Sequence, residues 1–253
     1  MFKLLIAILP VILIGMFIYF KDKEKESKKI IFKLFMGGVF SCFPAAIIGL
    51  IFEGFFPELQ DMNIIHLVIY VFILVAFVEE ICKFIILKKI SYNNHEFDTL
   101  YDMILYSSFV ALGFACFENV LYVMDSGISV GLLRAITAVP GHVCDGVLMG
   151  FYLALAKYND VIGNKKTSNK YMLISIIVPV ITHGIYDFCL FFGHIIFVII
   201  FVIFVIILYI ICIKKINHVS KNDIKFIFNN KYCGGCGSLV STNYCGKCGR
   251  KNN

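Results

Sequence analysis

Seven apolar runs follow one another along the chain, near residues 4–20, 30–52, 64–87, 99–124, 130–157, 171–192 and 194–213. A helix needs about 20 predominantly apolar residues to cross the hydrocarbon core of a bilayer. Read against breakers and charges, the runs predict about seven transmembrane helices. The last is the plainest, since Ile195 to Ile213 carries no charged residue. The fifth is over-long and holds Pro140-Gly141, so a kink or break is expected just before His142. Broken helices at membrane depth are tolerated only against protein or a wet cavity, so the break points to a site. The first run is read as a retained signal anchor. A charged flank from Lys21 to Glu26 follows it, with no small-residue cleavage pattern before that flank.

The connections between runs set sidedness. Lysines crowd the segments after the first, third, fifth and seventh runs, whereas Glu53 to Asn63 and Asp125 to Ser129 carry no lysine or arginine. This alternation predicts an N-terminus outside and a C-terminus in the cytoplasm. Composition agrees: 60% of the 253 residues are hydrophobic and mean hydropathy is +0.87. The chain reads as an all-α polytopic membrane protein, with a membrane domain over 1–220. Its net charge of +6 is a topology code rather than a nucleic-acid signal.

The tail is a different material. Cys233-Gly-Gly-Cys236 and Cys245-Gly-Lys-Cys248 form two Cys-x-x-Cys pairs, each followed by glycine. Four thiolates at this spacing predict a small cytoplasmic zinc ribbon over 229–253, with a coordinatively closed, structural zinc. A pair of disulfides is the alternative, which a reducing cytoplasm disfavours. With few basic residues around it (Lys231, Lys247, Arg250, Lys251), the ribbon is expected to contact a cytoplasmic protein rather than nucleic acid. The other six cysteines lie in apolar segments, mostly as small buried hydrophobes.

Within the predicted spans stand Glu79, Glu80, Lys83, Glu118, Arg134, Asp145 and Asp187, together with His142 and His183. A charge at the bilayer centre costs about 3 kcal/mol on insertion scales. These groups must therefore pair, converge or line water. Glu79 and Lys83 share a helix face, and Glu80 reaches Lys83 one turn on. Taken alone, that set reads equally well as an ion pair that locks packing. Asp187 one turn after His183 can fix the imidazole tautomer, and Asp145 could do the same for His142. Tyr122 could satisfy Glu118 from the next turn, and Arg134 could snorkel or pair with an acid. Four helices contribute an acid and two contribute a histidine, which is the recipe for a site between the helices of a bundle.

Taken in order, Glu79-Glu80-x-x-Lys83, Phe117-Glu118-x-x-x-Tyr122, Arg134 with His142, and His183-x-x-x-Asp187 resemble the successive motifs of the PrsW family of intramembrane proteases. That family is related to the CAAX-processing glutamyl peptidases and other Abi-type membrane proteins. The resemblance covers roughly 64–192; Asp145 and the zinc ribbon fall outside its pattern. It implies proteolysis of membrane proteins, with a single-pass anti-sigma factor cut extracytoplasmically at site 1 as the best-known type of substrate.

Peptide hydrolysis needs a base for water, donors for an oxyanion and a proton for the leaving amine. Glu79 is expected to be the base, with Glu80 and Lys83 orienting it. His142 and His183 would hold water and oxyanion, Asp187 would steer His183, and Glu118 would be a second carboxylate or a substrate gate. Two histidines and a glutamate also suit a catalytic zinc, so a metalloprotease stays open. A proton- or cation-coupled transporter and a non-enzymatic scaffold are the readings from other classes. By helical rise, Glu79 and Glu118 are expected to differ in depth by roughly 10–15 Å.

Overall fold

A computed structural model describes residues 2–58, 61–94, 96–225, 231–232, 239–240, 248 and 250. Its helices are α1 (Phe2–Lys21), α2 (Lys28–Glu53), α3 (Ile64–Ile69), α4 (Val78–Ser91), α5 (Leu100–Ser126), α6 (Ile128–Ile136), α7 (Ala138–Val161), α8 (Lys165–Phe191) and α9 (Ile195–Lys221). A π-helical segment, Tyr70–Phe77, joins α3 to α4 in one continuous span. Among the described residues, seven helical runs are long and apolar enough to cross a membrane, as the sequence predicts. Two short strands, β1 (Lys231–Tyr232) and β2 (Leu239–Val240), pair antiparallel. They bracket Cys233 and Cys236 in sequence; these two, with Cys245, lie outside the described residues.

Helix α5 is the centre of the bundle, packed by α1, α2, α4, α6, α7 and α9. Its first half is buried almost without interruption from Leu100 to Ser108. Backbones meet where it crosses α2: a Cβ on Gly113 would overlap the carbonyl of Phe35, and one on Gly38 would overlap that of Val110. Small residues give this close approach where lipid supplies no hydrophobic drive for association.

The fifth run breaks at Thr137, not at Pro140 as the sequence suggests. Pro140 instead sits in the first turn of α7, where a missing N–H costs nothing. It leaves the Ile136 carbonyl without its amide partner. The Tyr209 hydroxyl of α9 takes that role, lying 2.9 Å from the Ile136 oxygen and 2.8 Å from that of Thr137.

At the end bearing Lys21 and Ser91, a strap closes the bundle. Thr99 caps α5 in a reciprocal box with Asp102. The segment after α9 covers the next amides: Leu100 N–H donates to the Ile224 carbonyl (3.2 Å) and Tyr101 N–H to Asp223 Oδ1 (3.0 Å). Lys225 bridges Thr99 through the backbone. Nearby, Glu26 is 9% exposed and accepts from the Tyr106 hydroxyl. Burial pushes its carboxyl from 4.5 up to about 8, against the Tyr106 bond and with help from Asp102, Asp22 and Glu96. Between those values the folded chain keeps a proton that the unfolded chain has lost. The stability this group contributes is thus complete below pH 4.5 and drains away as pH rises through 8. Glu26→Gln should flatten that slope: melting curves from pH 5 to 8 in detergent should fall less for the variant than for the natural chain.

Candidate active site

The break at Thr137 and the wide π turn before Glu79 both open space inside the bundle. π turns recur at functional sites, and this one lays the Phe72 ring against Gly184, where a Cβ would collide with it. The resulting cavity of about 310 Å³ is lined by Glu79, Glu118, His142, Asp145, His183 and Asp187, with Tyr122 and Arg134 at its wall. The sequence-predicted set is therefore brought together, apart from two members that lie behind the wall. Glu80 is fully buried and Lys83 is 1% exposed.

Lys83 is the hub. Its ammonium donates to Glu80 Oε1 (2.7 Å) and Glu79 Oε2 (3.4 Å), faces His142 Nδ1 at 3.2 Å, and sits 3.9 Å over the Phe114 ring. An ammonium has no lone pair, so His142 Nδ1 is an acceptor and the ring proton is on Nε2. That proton points at Glu118 Oε2, 2.8 Å away. Arg134 Nη2 donates to the same oxygen at 2.8 Å, and its Nε donates to Asn119 Oδ1 at 3.2 Å. Asn119 in turn donates to the Ala7 carbonyl of α1 (3.0 Å).

His183 differs: both of its nitrogens face carboxylates. Nδ1 is 3.0 Å from Glu80 Oε1, while Nε2 is 3.4 Å from Asp187 Oδ2 and 3.9 Å from Glu79 Oε2. The two imidazoles stand edge to face, 5.2 Å apart. Glu79, Glu80, His142 and His183 can each place a ligand atom within 4.8 Å of the others.

Some expected pairings are replaced. Tyr122 receives the Arg134 guanidinium on its ring, 3.9 Å from the centroid, rather than serving Glu118 with its hydroxyl. Asp145 accepts from the Thr182 hydroxyl (2.5 Å), not from His142. The depth gap between Glu118 and Glu79 is closed by His142, whose ring spans from Glu118 to Lys83. Asn119, Thr182, Phe114 and Tyr209 join the site unannounced by any motif. Asn119, a lone amide inside an apolar run beside Glu118, was the most findable of them.

Such a constellation, with two adjacent carboxylates, two histidines and a cavity roomy enough for water inside a membrane bundle, can activate water and stabilise an oxyanion. Comparison with known proteins agrees. Residues 26–211 match the model of the PrsW family intramembrane metalloprotease. Protease PrsW of Oceanobacillus iheyensis is 33% identical over 86% of this chain and 96% of its own length. The proteins of that name from Clostridioides difficile and Bacillus subtilis are 32% and 33% identical, over 74% and 75% of this chain and 78% and 84% of theirs. No solved structure matches the chain. The chain belongs to the PrsW family: it is a multi-pass bacterial membrane protein and an intramembrane protease.

Proposed function

We propose that this protease hydrolyses its substrate with water activated by Glu79. The observation that carries the assignment is the asymmetry of the carboxylate pair. The Glu79 side chain keeps 16% of its surface and lines the cavity, whereas Glu80 is sealed between Lys83 and His183. Glu79 takes a proton from the attacking water as the new C–O bond forms. His183, whose Nε2 lies between Glu79 and Asp187, donates to the carbonyl oxygen as it becomes an oxyanion, and the proton on Glu79 passes to the leaving amine. Asp187 steers His183. Glu118, held by Arg134, fixes the tautomer of His142, a carboxylate–histidine pairing typical of catalytic and metal sites. Lys83 and Glu80 hold the pair of carboxylates in register.

The residues also fit a divalent cation. Two carboxylates and two imidazoles are a nitrogen–oxygen donor set, and Glu80 Oε2 is buried with no hydrogen-bond partner. Glu79, Glu80, His142 and His183 would hold such an ion, which would supply Lewis-acid polarisation of the scissile carbonyl.

The cavity lining reaches Tyr70, Tyr122 and Leu190, toward the helix ends that the lysine distribution assigns outside. With the N-terminus outside and the C-terminus cytoplasmic, as the lysines indicate, this supports a cut toward the extracytoplasmic side. The substrate we infer is a single-pass membrane protein of the anti-sigma type. Cleavage of such a substrate in liposomes, by the natural chain beside Glu79→Gln, tests the reading.

For the tail we propose a structural zinc on Cys233, Cys236, Cys245 and Cys248, in a module that contacts a cytoplasmic protein. The antiparallel pairing of Lys231 with Val240 and Tyr232 with Leu239 supports it, since paired strands around a Cys-x-x-Cys turn are how a zinc ribbon presents its thiolates. Purified protein should lose one zinc per chain in Cys233→Ser/Cys236→Ser while still cleaving. Unchanged zinc content in that variant refutes the ribbon.

A further inference from the structure

A cation already stands among the four candidate ligands, and it is part of the chain. Lys83 Nζ contacts an atom of Glu79, of Glu80 and of His142 at 3.4, 2.7 and 3.2 Å. A metal bonded to the same atoms at about 2.0–2.2 Å would need the space the ammonium fills. We propose that Lys83 and a divalent cation are mutually exclusive occupants of this cage. In the resting protease Lys83 is the resident counter-ion, and a metal enters only when the ammonium withdraws. The inference deepens the metal reading of the same site and is independent of which group activates water.

Three observations carry it. First, the ammonium is buried and its contacts are complete: two carboxylates, one imidazole lone pair and the face of Phe114 at 3.9 Å. A lysine that merely passed through would show an exposed head, since long cations snorkel when they can. Second, the tautomer of His142 is set from outside the cage. Glu118 and Arg134 hold its Nε2 side, so its Nδ1 lone pair stays aimed at the cage whichever cation is present. Third, Glu80 keeps a second oxygen, Oε2, buried and unpartnered. An ammonium has only three protons, and this one spends them on other atoms. A metal could use that oxygen. The cage therefore offers a metal more than its lysine uses.

Removing the ammonium leaves the His183 ring alone against Glu79, Glu80 and Asp187, which is costly unless another cation takes its place. Lys83→Met should therefore bind one more zinc per chain than the natural protein, at least about 100-fold tighter at the core site. Lys83→Arg, which restores a fixed charge, should hold no additional zinc. The measurement is zinc content and zinc affinity of the full chain in detergent, with gel filtration as the check on folding. Should Lys83→Met fail to fold, Phe114→Leu keeps every donor but removes the ring beneath the ammonium, and should tighten zinc several-fold. Added His142→Ala should abolish the gain in either variant. Equal zinc binding in the natural chain and in the foldable variant overturns the proposal. So does a natural chain that already holds a core zinc, lost with His142→Ala while Lys83 is intact. Cleavage by the natural chain beside Glu79→Gln reports separately on the proposed function, because a Glu79→Gln chain that still cleaves would refute that reading and leave the zinc counts to stand alone.

Discussion

Glu79→Gln should abolish cleavage while leaving the fold intact. The amide keeps the size of the carboxylate but cannot take a proton from water, and loss of a general base costs roughly 10²- to 10⁴-fold in rate. Stability should change little, because Glu79 holds the weaker of the two contacts with Lys83 (3.4 Å) and faces the cavity. Glu80→Gln is the informative partner. Glu80 is fully buried and bonded to both Lys83 and His183. Breaking a buried pair from one side costs about 3–5 kcal/mol, so this variant should lose melting temperature and activity together. Rates in liposomes and melting curves in detergent separate the two. A Glu79→Gln enzyme that still cleaves at a tenth of the natural rate would move the base elsewhere.

The second large effect should come from a residue that does not line the cavity. At Gly113, a side chain must occupy the space of the Phe35 carbonyl. Unlike a clash with a side-chain tip, this one is relieved only by moving α2 and α5 apart. Overpacking in a core costs about 1–3 kcal/mol when side chains can shift, and more when they cannot. Gly113→Val should therefore cost about 3 kcal/mol or more and reduce the recoverable folded fraction. Gly49→Val is the control on the same bundle, since a Cβ there meets nothing within 4 Å. Gel filtration after graded heating reads both. If Gly113→Val melts with the natural chain, the tight crossing of α2 and α5 is not what the structure shows.

Much of this was written in the sequence for one physical reason: a charge inside an apolar run is expensive, so each one that persists is informative. That argument finds the spans and the acids and histidines of the cavity. It does not give depth. Counted rise leaves Glu118 and Glu79 at different levels, and only the third dimension shows His142 filling the gap between Glu118 and Lys83. Nor does it tell which of two adjacent glutamates meets the cavity, since one residue is a 100° turn of the helix and His183, which seals Glu80 opposite Lys83, comes from α8, about a hundred positions later. Pro140 misplaces the break for a related reason: proline marks where an N–H is missing, and the chain put that gap in the first turn of a new helix. Thr182, Phe114 and Tyr209 belong to residue types that apolar spans tolerate anyway, so they send no signal. Asn119 sends one, and pairing it with Arg134 needed the fold.

The strap after α9 changes what counts as the end of the membrane domain. The match to the family model ends at residue 211, yet Asp223 and Ile224 supply acceptors for the first amides of α5, the helix that carries Glu118. A chain shortened at Lys221 would not shed an idle appendage; it would strip the footing from the central helix. Conversely, anything that grips the cysteine-bearing tail holds a handle fastened, four residues past α9, to the beam on which the cavity is built.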